Sequence, residues 1–171
     1  MNSNGQIFLL AAIAFAGFTL SIAYFTGQNF IQQPRANFII SEAKNELSDA
    51  YYYGNANDDL NMAMWNAGKT MKNTSIASGY TTNLAFIAYD QNSSFVAGNF
   101  TSADCQIESS GLPGISVNKA KTLIIPEESL LNKRSVNFCG KAFDLNQYLQ
   151  YFIEASKGKE VGKWDNLGKQ T

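Results

Sequence analysis

The sequence predicts an α+β fold: a long hydrophobic N-terminal helix, a rod, followed by a small exported head that combines amphipathic helices with an antiparallel β-sheet. Three observations carry this expectation. Residues 7–25 hold no charged side chain, and only Thr19 and Ser21 among them are polar. Two later stretches, within residues 35–71, place apolar side chains at helical spacing. The centre of the chain then changes to short β-rich runs separated by turn-forming residues.

The first element follows from length. Nineteen uncharged residues make a helix of roughly 28 Å, close to the hydrocarbon thickness of a bilayer. Three readings fit such a segment: a cleaved secretory signal, a permanent single-pass anchor, or a rod that leaves the membrane to be buried among copies of itself. A signal peptide carries a basic start and a shorter apolar run, whereas "MNSNGQ" has no Lys or Arg; a small-x-small site does exist at Ser21-Ile22-Ala23. The rod also carries small residues four apart, Ala12 with Ala16 and Gly17 with Ser21, and such faces let helix backbones approach closely.

Pro34 marks a bend or a new start. After it, Ala36, Ile39, Ile40, Ala43, Leu47, Ala50 and Tyr51 share one helical face, with Gly54 as the stop. A second helix is expected with Asn57 as its N-cap, Asp58 and Asp59 in its first turn, and Leu60, Ala63, Met64, Ala67 and Met71 on its apolar face. "TNLAFIAYDQNSSFVAGNF" reads as a hairpin turning at Asp90-Gln91-Asn92-Ser93, and "TSADCQIES", "AKTLIIP" and "SVNFC" as further strands. Pro126, Glu127 and Glu128 ahead of Leu130 suggest a short helical turn. Asp144 is expected to cap a closing helix with Leu145, Tyr148, Leu149, Phe152 and Ile153 on one face. Residues 157–171, rich in Gly and Lys, read as a flexible tail, unless Trp164 anchors it in a neighbouring subunit.

The side of the membrane is set by competing signals. Arg35 and Lys44 after the span favour a cytoplasmic head by the positive-inside rule. Three N-glycosylation acceptors, at Asn73, Asn92 and Asn99, favour export. So does the even cysteine count: Cys105 and Cys139 read as one disulfide closing a loop of about 35 residues, with two buried thiols as the alternative. The head is expected outside.

Chemistry is sparse. There is no His, which removes the usual base for Ser or Cys nucleophiles and the commonest metal ligand. Neither a Gly-rich phosphate loop nor a C-x-x-C is present. Asp58-Asp59 and Glu127-Glu128 sit where helix starts favour negative charge. The expectation is a non-enzyme without cofactor or metal. With 13 basic and 14 acidic side chains the net charge is −1, so nucleic acid is not an expected partner.

A short polar leader ending in Gly5, then Gln6, then the apolar run leading into an amphipathic helix and a small β-rich head, resembles the archaeal type IV pilin-like proteins with their class III signal peptide. The resemblance implies cleavage between Gly5 and Gln6 and bundling of residues 7–25 into a filament core. The layout would then be leader 1–5, hydrophobic helix 6–33, extracellular head 34–156 and tail 157–171. The implied function is a structural subunit of a cell-surface filament, held in the membrane before assembly, with copies of itself as partner and glycans on its head. The alternative is a single-pass anchored extracellular binding domain that forms no filament.

Overall fold

Apolar residues at helical spacing form α1 (Arg35–Ala56) and α2 (Leu60–Ala77). The computed structural model describes residues 35–109, 113–130 and 133–167. The expected rod at 6–33, with Gly5, Gln6, Ala12, Ala16, Gly17, Ser21 and the bend at Pro34, lies outside the described residues. Among the described residues, no helix is long and apolar enough to cross a membrane.

Helix α1 buries the expected face: Ala36, Ile39, Ile40, Ala43 and Leu47. It continues through Gly54 instead of stopping there. Glycine is needed at that position for closeness, since a Cβ would stand 2.7 Å from the Leu60 Cα of the next helix. Asn57 does not cap α2; its side-chain amide donates to the Tyr53 carbonyl and finishes α1 instead. Helix α2 begins two residues later than that cap implied, after Asp59, whose side chain makes no cap bond.

Among the described residues nine strands follow: β1 (Thr81–Asp90), β2 (Ser94–Asn99), β3 (Cys105–Glu108), β4 (Ile115–Val117), β5 (Lys121–Pro126), β6 (Ser135–Phe138), β7 (Lys141–Asp144), β8 (Leu149–Lys157) and β9 (Glu160–Asp165). They form two antiparallel sheets, ordered β5-β2-β1-β8-β9 and β4-β3-β6-β7. The β1–β2 hairpin lies where the turn residues put it, with Asp90 opposite Ser94 and Ser93 in the left-handed region. A 3-10 turn, Glu127–Leu130, follows β5 as its proline implied.

The fold class expected from the sequence is corrected in two places. One small sheet closed by a helix is replaced by two sheets, and among the described residues strand outweighs helix. The segment expected as a closing helix is a turn followed by β8, and the expected flexible tail contains β9, paired to β8 from Lys157↔Glu160 to Phe152↔Asp165. The apolar spacing in β8 imitates a helix because the strand is buried on both faces. Tyr151, Ile153 and Ala155 point to the helices, while Phe152 points to the second sheet. A two-sided strand loses its period of two.

The result is three layers. Helix α1 packs on β8 and β9, and α2 on β1, β2 and β5, so the helices cover one face of the five-stranded sheet. Leu84, Phe86, Ala88, Val96 and Phe100 fill that interface. Ala85, Ile87, Phe95 and Ala97 of the same strands face the four-stranded sheet, where the tilted rings of Phe138, Phe143 and Phe152 pack at centroid separations of 5.7 and 6.5 Å. Close approach in the helix layer depends on two glycines: a Cβ on Gly68 would lie 2.2 Å from the Phe100 ring, and one on Gly162 2.7 Å from Ile40.

Candidate functional site

Polar and aromatic groups gather at both ends of α1. At its start, the Glu160 carboxylate of β9 accepts the otherwise unpaired Ala36 N–H at 2.9 Å and the Tyr80 hydroxyl at 2.5 Å. These bonds, the backbone donor first, hold the Glu160 carboxyl below its ordinary pKa, with Lys157 and Arg35 adding to the effect. The same carboxylate raises the Tyr80 phenol. The first turn of α1 is thereby latched to the sheet beside the point where the preceding chain arrives.

At the far end of α1, tyrosines gather from three segments. Tyr51 and Tyr52 meet edge to face at 5.6 Å, and the Tyr89 and Tyr148 rings are 6.4 Å apart. Burial raises the Tyr51 phenol, and Tyr148, Tyr52 and Asp90 lie near enough to raise it further. The Tyr89 backbone N–H donates to the Tyr148 carbonyl at 2.7 Å, and its hydroxyl donates to Glu127 at 3.2 Å. Asn55 ties the helix end to the hairpin turn by accepting the Gln91 N–H. Tyr52 and Tyr148 are each 72% exposed.

The cysteines meet as expected. Cys105, at the head of β3, and Cys139, in the β6–β7 turn, form a disulfide with Cα atoms 5.0 Å apart. Cys139 and Gly140 both have positive φ, the geometry of a type I′ hairpin. Beside the disulfide an open cleft of about 610 Å³ lies between the sheets, lined by Asn83, Gln106, Lys141, Phe152 and Glu154 among others. A smaller groove of about 380 Å³ between the helices is lined by Ile39, Ala43 and Met71 together with Glu42, Glu46 and Asp49. Among the described residues, no group of three or more Cys, Asp or Glu is arranged to hold a metal ion.

The three sequons fare differently. Asn73 is exposed on α2 and Asn92 on the hairpin turn. Asn99 is wholly buried. Its amide donates to the carbonyls of Ala103 and Val117, and its oxygen accepts from the Thr101 N–H and hydroxyl. The sequon reading of Asn99 is therefore corrected: in the folded domain this side chain pins the β2–β3 connection and leaves no room for a glycan. Trp164, expected in a mobile tail or a neighbouring subunit, has partners within the domain. Its ring lies beneath the Lys44 ammonium at 3.6 Å, and its side chain offsets part of the rise that burial gives the Tyr151 phenol.

Sequence reasoning missed the tyrosine end. "YYYG" was legible only as the end of a helix, and nothing in the chain announces that Tyr89 and Tyr148 join it. The chain matches no family model, no curated protein and no solved structure.

Proposed function

We propose that the protein is a structural subunit of an extracellular type IV pilus-like filament, held in the membrane through its N-terminal segment before assembly. The observation that carries this reading is Gly5-Gln6 placed directly before an uncharged 19-residue run, with a disulfide-stapled domain behind it. Packing such segments against one another stabilises by about 25 cal/mol per Å² of apolar surface removed from water, and small residues permit close contact in place of lipid. The disulfide supports an oxidising, extracellular setting for the head. This function asks for no catalysis, cofactor or nucleic acid.

The test is the mass of the N-terminal peptide from native cell-surface material, with electron microscopy of the same fraction. A start at Gln6 and filaments that disappear in Ala16→Asp while the protein is still made would support the reading. A start at Met1, with detergent-extracted protein that stays monomeric, would overturn it. That outcome favours the second reading, a single-pass anchored binding domain, to which the exposed tyrosine end lends specific support.

A further inference from the structure

Four tyrosines at the end of α1 farthest from Arg35 need an explanation that folding alone does not supply. Single exposed apolar groups are ordinary, but clustered rings left in water are not. Tyr51 and Tyr89 are half-buried and fix the base of the cluster, while Tyr52 and Tyr148 stand out from it. The cluster is held in place, not draped: Tyr89 N–H to Tyr148 O, Tyr89 hydroxyl to Glu127, and Asn55 to the Gln91 N–H join α1, the β1–β2 turn and the β7–β8 turn. A preformed surface of this kind binds without losing much conformational freedom.

The charge pattern narrows the ligand. All four tyrosines lie within residues 45–68, 73–118 and 142–156, and those three segments contain no Lys or Arg. Arg134 approaches through its carbonyl, which accepts the Leu145 N–H three residues ahead of Tyr148, so the tyrosine segments themselves offer a ligand rings and amides and no cluster of cations. Beside Tyr51 lies the half-buried carboxylate of Asp90, followed in the turn by the exposed amides of Gln91 and Asn92, and exposed Gln147 precedes Tyr148. Flat amphipathic rings edged by amides and carboxylates suit a ligand with apolar C–H faces and many hydroxyls. We propose that the surface built by Tyr51, Tyr52, Tyr89 and Tyr148 is a binding site for neutral saccharides. It is independent of how the N-terminal segment assembles.

The experiment uses the full-length chain in a polyoxyethylene detergent, titrated with maltohexaose, cellohexaose and chitohexaose, with a heparin hexasaccharide and tetramethylammonium as charged controls. Binding is read by saturation-transfer NMR and calorimetry. At least one neutral hexasaccharide is expected to bind. Tyr52→Ala and Tyr148→Ala are expected to weaken it about tenfold each, with Tyr→Phe at the same positions close to wild type and circular dichroism unchanged. Both positions are exposed, so loss of fold is not a competing explanation. The proposal is overturned if no neutral probe binds at about 10 mM, a Kd beyond useful recognition, if binding survives both alanine substitutions, or if only a charged control binds. It is equally overturned if the alanine variants abolish self-association and no saccharide binds, which would make this end a contact between copies.

Discussion

Reducing the Cys105–Cys139 bond should destabilise the head by about 3.8 kcal/mol. The bridge closes a separation of 34 residues, and the chain-entropy relation then gives about 12.6 cal/mol/K of lost denatured-state freedom, or about 3.8 kcal/mol at 25 °C. The closed loop holds more than one hairpin. It contains β4 of the four-stranded sheet and β5 of the five-stranded sheet before the chain returns as β6, so the bond ties shut a crossover between layers. Native contacts should survive reduction, because the thiols keep nearly the volume of the bridge. The measurement is urea unfolding of the full-length protein in mild detergent, followed by near-UV circular dichroism with and without reductant. With an m-value of about 1.5 kcal/mol/M, the midpoint should fall by about 2.5 M. A Cys105→Ala/Cys139→Ala variant should fall at least as far. A fall below about 0.5 M with unchanged m would refute the reasoning, since it would mean that the denatured chain already keeps these segments together.

Three other substitutions follow from close contacts and buried bonds. Gly68→Ala should destabilise by about 1–2 kcal/mol in thermal unfolding even though alanine favours helix by about 1 kcal/mol, because its Cβ lands 2.2 Å from the Phe100 ring. Asn99→Ala should lose about 3 kcal/mol in the urea assay, leaving the Val117 carbonyl and the Thr101 N–H without their partner and the Ala103 carbonyl with only the Thr101 hydroxyl; glycopeptide mapping of native material should find no glycan at Asn99. For Glu160 the folded pKa is depressed, so its contribution is fully present above the unfolded carboxylate value and is lost as pH falls through the folded one. Amide exchange at Ala36 should therefore be slower in wild type than in Glu160→Gln at neutral pH, and the two should converge only as the pH falls through the depressed Glu160 pKa, below the ordinary glutamate value of about 4.3.

Elements with one buried face or an explicit turn were legible in the sequence. Helix α1 buries Ala36, Ile39, Ile40, Ala43 and Leu47 of the face its spacing named and half-buries Ala50 and Tyr51, and the β1–β2 hairpin turns at Asp90. Strand β8 was not legible, and Asp144 shows why. Its carboxylate accepts from the backbone N–H and side-chain amide of Asn146, the local chemistry that starts a helix, yet here it makes an isolated turn. The strand that follows is buried on both sides, with Gln150 fully enclosed and accepting the Asp144 N–H. Strand β9 failed to register for the opposite reason. It is an edge strand whose buried residue is Gly162, so its hold comes from backbone pairing and from contact with α1, neither of which leaves an apolar pattern.

The site was less legible than the fold because each part of it is an encounter between distant segments. Glu160 and Ala36 are 124 positions apart, and Tyr51 is far in sequence from both Tyr89 and Tyr148. Helix α1 separates the two sets: its 22 residues span about 33 Å. Sites that far apart with no shared partner act independently to within about 0.5 kcal/mol. Loosening the latch with Glu160→Gln should therefore leave saccharide binding at the tyrosine end intact, and Tyr52→Ala should leave Ala36 exchange unchanged. A measured coupling between the two would mean that α1 shifts as a rigid rod against β8 and β9, and that occupancy at one end is felt where the N-terminal segment joins the domain.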